Sequence, residues 1–139
     1  MEKYYNNTQN KPANKNVQYF INQISSTPST AIDIGCGAGR DTVFLIQNGW
    51  KVLAIDQNNV EDRIKNRLTE EEKHSFRFSR QQFEDIELEQ ANLIVSNFSL
   101  SFCDKNEFSK LWNKIQKSIL PNRIFCWEFF RNKWWMECC

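Results

Sequence analysis

Residues 31–41 read AIDIGCGAGRD: a short apolar run carrying one acid, Asp33, then three glycines within five positions, Gly35, Gly37 and Gly39. A β-prone segment that runs directly into a glycine-rich turn, followed by an apolar helical pattern, marks a strand–loop–helix unit in which a ligand approaches the backbone closely. The following DTVFLIQNG supplies the helix, with Asn48-Gly49 as its stop. KVLAID, residues 51–56, is a second strand that again ends on an acid, Asp56.

The same alternation extends in both directions. Val17, Phe20, Ile21 and Ile24 recur at helical spacing before the loop, and SSTPS ends that helix. NNVEDRIKNRLTEEEK reads as a charged surface helix, SFRFS as a third strand, ANLIVSNFSL as a fourth, and EFSKLWNKIQKSIL as an amphipathic helix that LPN stops. RIFCWEFF is the fifth strand. Strands alternating with helices predict an α/β fold, a Rossmann-like three-layer sandwich around a mainly parallel central sheet. The chain of 139 residues has room for a single domain, with residues 1–16, rich in Asn, Lys and Thr, as an N-terminal arm or lid.

Two common phosphate-binding loops fit poorly. The dinucleotide fingerprint needs a glycine at the sixth position of its loop for close helix packing, and Arg40 stands there. The phosphate loop of nucleotide hydrolases needs Gly-Lys followed by Ser or Thr, and the sequence has no such triplet. What remains is an acid, a G-x-G-x-G turn, and a second acid at the end of the next strand.

This arrangement resembles motif I of the class I S-adenosylmethionine-dependent methyltransferases. The resemblance implies S-adenosyl-L-methionine as cofactor, with S-adenosyl-L-homocysteine as product. It implies that Gly35, Gly37 and Gly39 let the backbone pass under the cofactor's amino-acid tail, and that Asp33 favours its ammonium. Asp56 would accept from the ribose hydroxyls, which suits an acceptor-only carboxylate. Gln82 and Phe83, in RQQFEDIEL, fall where the family contacts adenine, although many members carry Asp at the position of Gln82. Cys36, Arg40, Gln57 and Asn97 complete the implied cofactor set. Taken singly, Asp33 could instead fix the loop, and Asp56 could cap a helix starting near Asn58.

KYYNNTQNKPANKNVQYF, Gly39-Arg40-Asp41 and IVSNFSLSFC make residues 4 to about 130 similar, more loosely, to small methyltransferases of the tellurite-resistance and thiopurine type. Those relatives imply a small, soft acceptor such as a thiol, selenium or tellurium species. No residue is singled out as catalytic; the absence of a clear general base agrees with a nucleophile that needs none. The acceptor would meet residues beyond the carboxyl ends of the strands: Asn97, Phe98, Ser99, Phe102 and Cys103 after the fourth, and Glu128 to Phe130 at the fifth. Tyr4 and Tyr5 would fold over as a lid. The alternative is that Phe98 and Phe102 are core and both tyrosines surface. Arg40 would bind a carboxylate of cofactor or substrate, or pair with Asp41 or another acid.

Composition narrows the partners. Eighteen basic against seventeen acidic side chains give no electrostatic reason to expect nucleic acid or a membrane, so a small molecule is the expected partner. Five cysteines and the single His74 show no metal-ligand spacing, so no metal is expected. No apolar run approaches the roughly 20 residues of a membrane span and the N-terminus lacks a signal peptide's apolar core, so the expectation is a cytoplasmic protein. The resembled family's sheet has seven strands, and this chain would lack the last two, as though truncated at its C-terminus. The fifth strand and the Trp134-Trp135 tail would then be exposed, or covered in a homodimer. A chain that binds the cofactor without turnover is the rival function, and a nicotinamide oxidoreductase is disfavoured by Arg40.

Overall fold

Six strands form one sheet in the order β3-β2-β1-β4-β5-β6. They are β1 (Thr30–Ile34), β2 (Lys51–Asp56), β3 (Phe76–Arg80), β4 (Ala91–Asn97), β5 (Ile119–Glu128) and β6 (Met136–Glu137). The structure, a computed structural model, describes residues 1–24, 27–100, 103–128 and 136–137. The first five strands are parallel. The sheet does not end at the fifth strand as expected: β6 pairs antiparallel with β5, placing Met136 and Glu137 opposite Phe125 and Ile124.

Side-chain alternation sorts the core into two faces. Ala31, Val52, Ala54, Leu93 and Val95 pack under α1 (Glu2–Thr8), α2 (Lys15–Tyr19), α3 (Arg40–Gln47) and α4 (Glu61–Lys65). Ile32, Ile34, Ile55, Ile94 and Phe125 pack against α5 (Lys105–Ser118), whose Leu111 and Ile115 are fully buried. This is the expected three-layer arrangement. α5 begins where Asp104 Oδ1 accepts from the Asn106 N–H at 2.7 Å, and Gly49, at φ 89°, lets the chain leave α3.

Three elements differ from the sequence reading. The predicted arm contains a helix, α1, whose Tyr5 is core, only 3% exposed. The helix predicted for the charged run stops after Lys65, because Thr69 and Glu72 exchange backbone and side-chain hydrogen bonds in a capping box that starts a separate turn, Glu72–Ser75. Pro121 lies inside β5 rather than before it. The register against β4 jumps from Ala91↔Ile119 to Leu93↔Ile124, and the residues between them bulge where proline has no N–H to give.

The chain leaves β1 toward β2 and β3, then returns to place β4 on β1's other side. The crevice at this reversal, beyond the carboxyl ends of the strands, is where open α/β sheets bind ligands.

Candidate functional site

A cavity of about 320 Å³ occupies that crevice, within the usual range for a small-molecule site. Its floor is the glycine loop after β1, its sides the ends of β2 and β4, and its roof α1 through Met1, Tyr4, Tyr5 and Thr8.

The three glycines all adopt left-handed conformations, at φ 69°, 53° and 80° for Gly35, Gly37 and Gly39, but for different reasons. A β-carbon at Gly35 would stand 2.2 Å from Ser99 Cβ, and one at Gly39 would stand 2.5 Å from Ile64 Cγ1. Those two positions are closed by the protein itself. A β-carbon at Gly37 would meet only the Tyr5 and Tyr4 rings, at 3.8 and 3.9 Å. Gly35 and Gly37 both line the cavity, but of the three glycines only Gly37 could take a β-carbon without a close contact with the protein.

The two acids are held differently. Asp56 Oδ2 accepts from the Gly37 N–H and its Oδ1 from the Asn58 N–H, both at 2.9 Å. The expected helix cap is not formed, since α4 begins only at Glu61 with Val60 as its N-cap; the Asp56 carboxylate fixes the loop instead and lines the cavity. Asp33, 3% exposed, accepts from the Thr42 hydroxyl at 2.6 Å, with the Thr42 backbone N–H beside it. Burial, with the neighbouring Asp41 charge, pushes its carboxyl up to about 8.

Asp41 organises a network missed in the sequence, where Asn14 and Asn16 were placed in the arm. Its Oδ1 accepts from the Asn14 backbone N–H at 2.7 Å, and its Oδ2 from Asn14 Nδ2 at 2.7 Å and Asn97 Nδ2 at 3.0 Å. Asn97 exchanges two more amide bonds with Asn16. Arg40 donates to Asn14 Oδ1 at 2.6 Å instead of pairing with Asp41. Five asparagines among the first sixteen residues gave no periodic signal by which sequence could separate the two that join this network from solvated positions.

After β4, Ser99 donates to the Ile34 carbonyl at 2.8 Å and shares a hydrogen bond with Ser96, which fastens β4 to β1. Phe98 stands at φ 60°, unusual for a bulky residue, where the chain turns into the cavity wall. Tyr5 is buried, its hydroxyl accepts from Asn58 Nδ2 at 2.9 Å, and its ring lies edge-on to that of Tyr4. Burial and then the Asp56 charge raise the Tyr5 hydroxyl above its ordinary value. The Cys36 thiol is likewise pushed well up by burial, followed by the Asp33 and Asp56 charges, so it lines the cavity as a neutral group.

Among the expected residues, Asp33, Gly35, Cys36, Gly37, Arg40, Asp56, Gln57, Phe83, Asn97, Tyr4, Tyr5, Phe98 and Ser99 share this cavity. Gly39 packs on Ile64 outside it. Gln82 is exposed and is not brought to it; Gln81 lines the wall instead, its N–H on the Asp56 carbonyl at 3.0 Å. Phe102 lies outside the described residues, and Glu128 is described only by its backbone pairing with Asn97. Among the described residues no group of His, Cys, Asp and Glu could hold a metal ion, and no helix is long and apolar enough to cross a membrane.

A family model described as tellurite resistance protein TehB matches residues 1–124. No curated protein matches significantly. Among solved structures, TehB from Haemophilus influenzae superposes with a TM-score of 0.71 at 21% identity, over 89% of this chain and 43% of that one. An S-adenosylmethionine-dependent methyltransferase, so assigned provisionally, from Methanococcus maripaludis gives 0.67 at 22% identity, over 84% and 55%. The glycopeptide N-methyltransferase MtfA, complexed with S-adenosylmethionine, gives 0.67 at 16% identity, over 78% and 50%. The chain spans about half the length of these structures, and at such identities they show the shared fold.

Proposed function

Because the chain belongs to the TehB tellurite-resistance family, we propose that it binds S-adenosylmethionine in this cavity and transfers the methyl group to a small-molecule acceptor. The observation that carries the reading is the charge of the lining. Three carboxyl side chains, Asp33, Asp41 and Asp56, face the cavity against one guanidinium, Arg40. That surface opposes a pyrophosphate and suits a ligand bearing an ammonium and a sulfonium.

The residues fit the cofactor's parts. Each Asp56 oxygen accepts one N–H and keeps a lone pair for a ribose hydroxyl. Phe83 and Ile86 offer apolar surface to a purine. Gly37 leaves room beside its backbone, as a cradle that a β-carbon would narrow. Asp41 provides negative charge for the ammonium, Asp33 adds its own once the ammonium draws its proton off, and Arg40, bonded to a neutral amide, has donors for a carboxylate. Bound there, S-adenosylmethionine supplies a methyl group made electrophilic by its sulfonium.

Displacement at that methyl demands alignment of nucleophile and leaving sulfur, together with exclusion of water. The protein contributes both: Tyr4 and Tyr5 close the roof, and Asn97, Phe98 and Ser99 shape the wall after β4. No histidine lines the cavity, and the Asp41 and Asp56 oxygens already accept hydrogen bonds. With Asp33 engaged by the ammonium in this reading, no carboxylate is left over as base for an alcohol or amine, which favours a thiol, selenium or tellurium nucleophile.

Calorimetric titration tests the reading. Saturable binding of S-adenosylmethionine and S-adenosylhomocysteine, without binding of NAD, is the expected result; folded protein that binds neither adenosyl ligand overturns it. Screening thiol, selenite, tellurite and amine acceptors for release of S-adenosylhomocysteine then separates an enzyme from a chain that binds without turnover.

A further inference from the structure

Arg63 and Arg67 belong to no recognisable motif, and neither lines the cavity. Yet both reach from α4 and its following turn to the helix that roofs it. Arg63 donates to Asn6 Oδ1 and Gln9 Oε1 at 3.0 and 2.7 Å, pairs with Glu2 at 2.6 Å, and lies 5.4 Å from the centre of the Tyr5 ring. Arg67 spans two backbones: one terminal nitrogen donates to the Gln9 carbonyl just after α1, the other to the Ala38 carbonyl of the glycine loop.

Arg67 is a costly group to place there. Among the described residues no carboxylate lies within salt-bridge reach of it, and its buried Nε has no hydrogen-bond partner. Burial, followed by the like charge of Arg63, lowers its guanidinium below the ordinary value. Half-burying a cation without a counter-charge destabilises a fold unless its contacts do something else. What the contacts do is join the roof of the cavity to its floor. α1 has seven residues, too few to persist as an isolated helix, so its position depends on what holds it.

We propose that Arg67, assisted by Arg63, is a positioning residue for the cofactor site: the two guanidiniums tie α1 to the glycine loop, so that roof and floor hold the ligand as one unit. The proposal rests on the reading that this cavity takes the adenosyl cofactor. The competing view is that the buried Tyr5 side chain anchors α1 unaided. Lysine at position 67 presents a single nitrogen and cannot span both carbonyls as the planar fork does.

The test uses the full chain with Arg67→Ala, Arg67→Lys and Arg63→Ala, S-adenosylhomocysteine as the probe, and hydrogen exchange read separately for the α1 amides and for β1, β2 and β4. In Arg67→Ala, affinity should fall about tenfold or more, and α1 should exchange faster while the strands keep their protection. Arg67→Lys should remain weak, and added methylguanidinium should restore affinity to Arg67→Ala alone. Wild-type affinity in Arg67→Ala, or unchanged protection of α1, overturns the proposal. Should Arg67→Ala fail to fold, Arg63→Ala answers by the same two readouts, with a smaller loss supporting the tether and no change in either overturning it. If the wild-type chain binds no S-adenosylhomocysteine, the cofactor reading falls, while exchange in the ligand-free proteins still decides whether the arginines hold α1.

Discussion

Asp33 and Asp56 stand at the carboxyl ends of neighbouring parallel strands, line one cavity and are almost equally buried, at 3% and 8% exposure. Their surroundings are opposite in kind. Each oxygen of Asp56 receives a backbone N–H, so its charge is satisfied by the fold itself. Asp33 has one neutral hydroxyl and a like-charged neighbour, Asp41, and is pushed up to about 8. The difference teaches that Asp56 belongs to the architecture of the loop, whereas the charge of Asp33 depends on what enters the cavity. A bound ammonium would draw its proton off.

Asp33→Asn should break the contrast most strongly. A carboxyl raised from 3.8 to about 8 on folding binds a proton that the unfolded chain has released. Its contribution is complete at the acid end and is lost as pH rises toward about 8, a fall of several kcal/mol across that window. The asparagine variant should lack that slope in denaturant unfolding measured from acid to mildly alkaline pH. Asp56→Ala comes next: it strips acceptors from Gly37 and Asn58 and should weaken S-adenosylhomocysteine binding by about 1–3 kcal/mol in calorimetry. Unchanged affinity would refute the ribose role. Thr42→Val removes the hydroxyl on Asp33, should cost about 1 kcal/mol of stability and should carry the fall in stability on to higher pH, since that bond holds the carboxyl down. Asn58→Ala keeps the backbone N–H on Asp56 and loses only the bond to the Tyr5 hydroxyl. It should change binding by no more than about 0.5–1 kcal/mol, which sharpens the distinction between backbone and side-chain support.

Much of this frame was legible. Lys51–Asp56 is the very KVLAID run that alternation marks out, and Leu111 and Ile115 fall on the predicted apolar face of α5. A parallel sheet with its site beyond the carboxyl ends of the strands follows from βαβ succession. The roof was not legible, because α1 is short, polar and almost unpatterned, and its one deeply buried residue, Tyr5, sits beside the exposed Tyr4. Of the two glutamines before Phe83, Gln81 and not the expected Gln82 lines the cavity, since only three dimensions decide which of them points inward. The break after Lys65 did carry a signal, the TEEE capping box, within a charged run that also satisfied a helical pattern.

Ser99 fills the space that a side chain at position 35 would need, while its hydroxyl holds the end of β1 through the Ile34 carbonyl. The glycine turn after β1 and the turn that follows β4 are therefore packed as one unit. A graft of the β4 turn from a relative, made to change the acceptor, has to bring a residue at 99 as small as serine, or lose the glycine turn along with it.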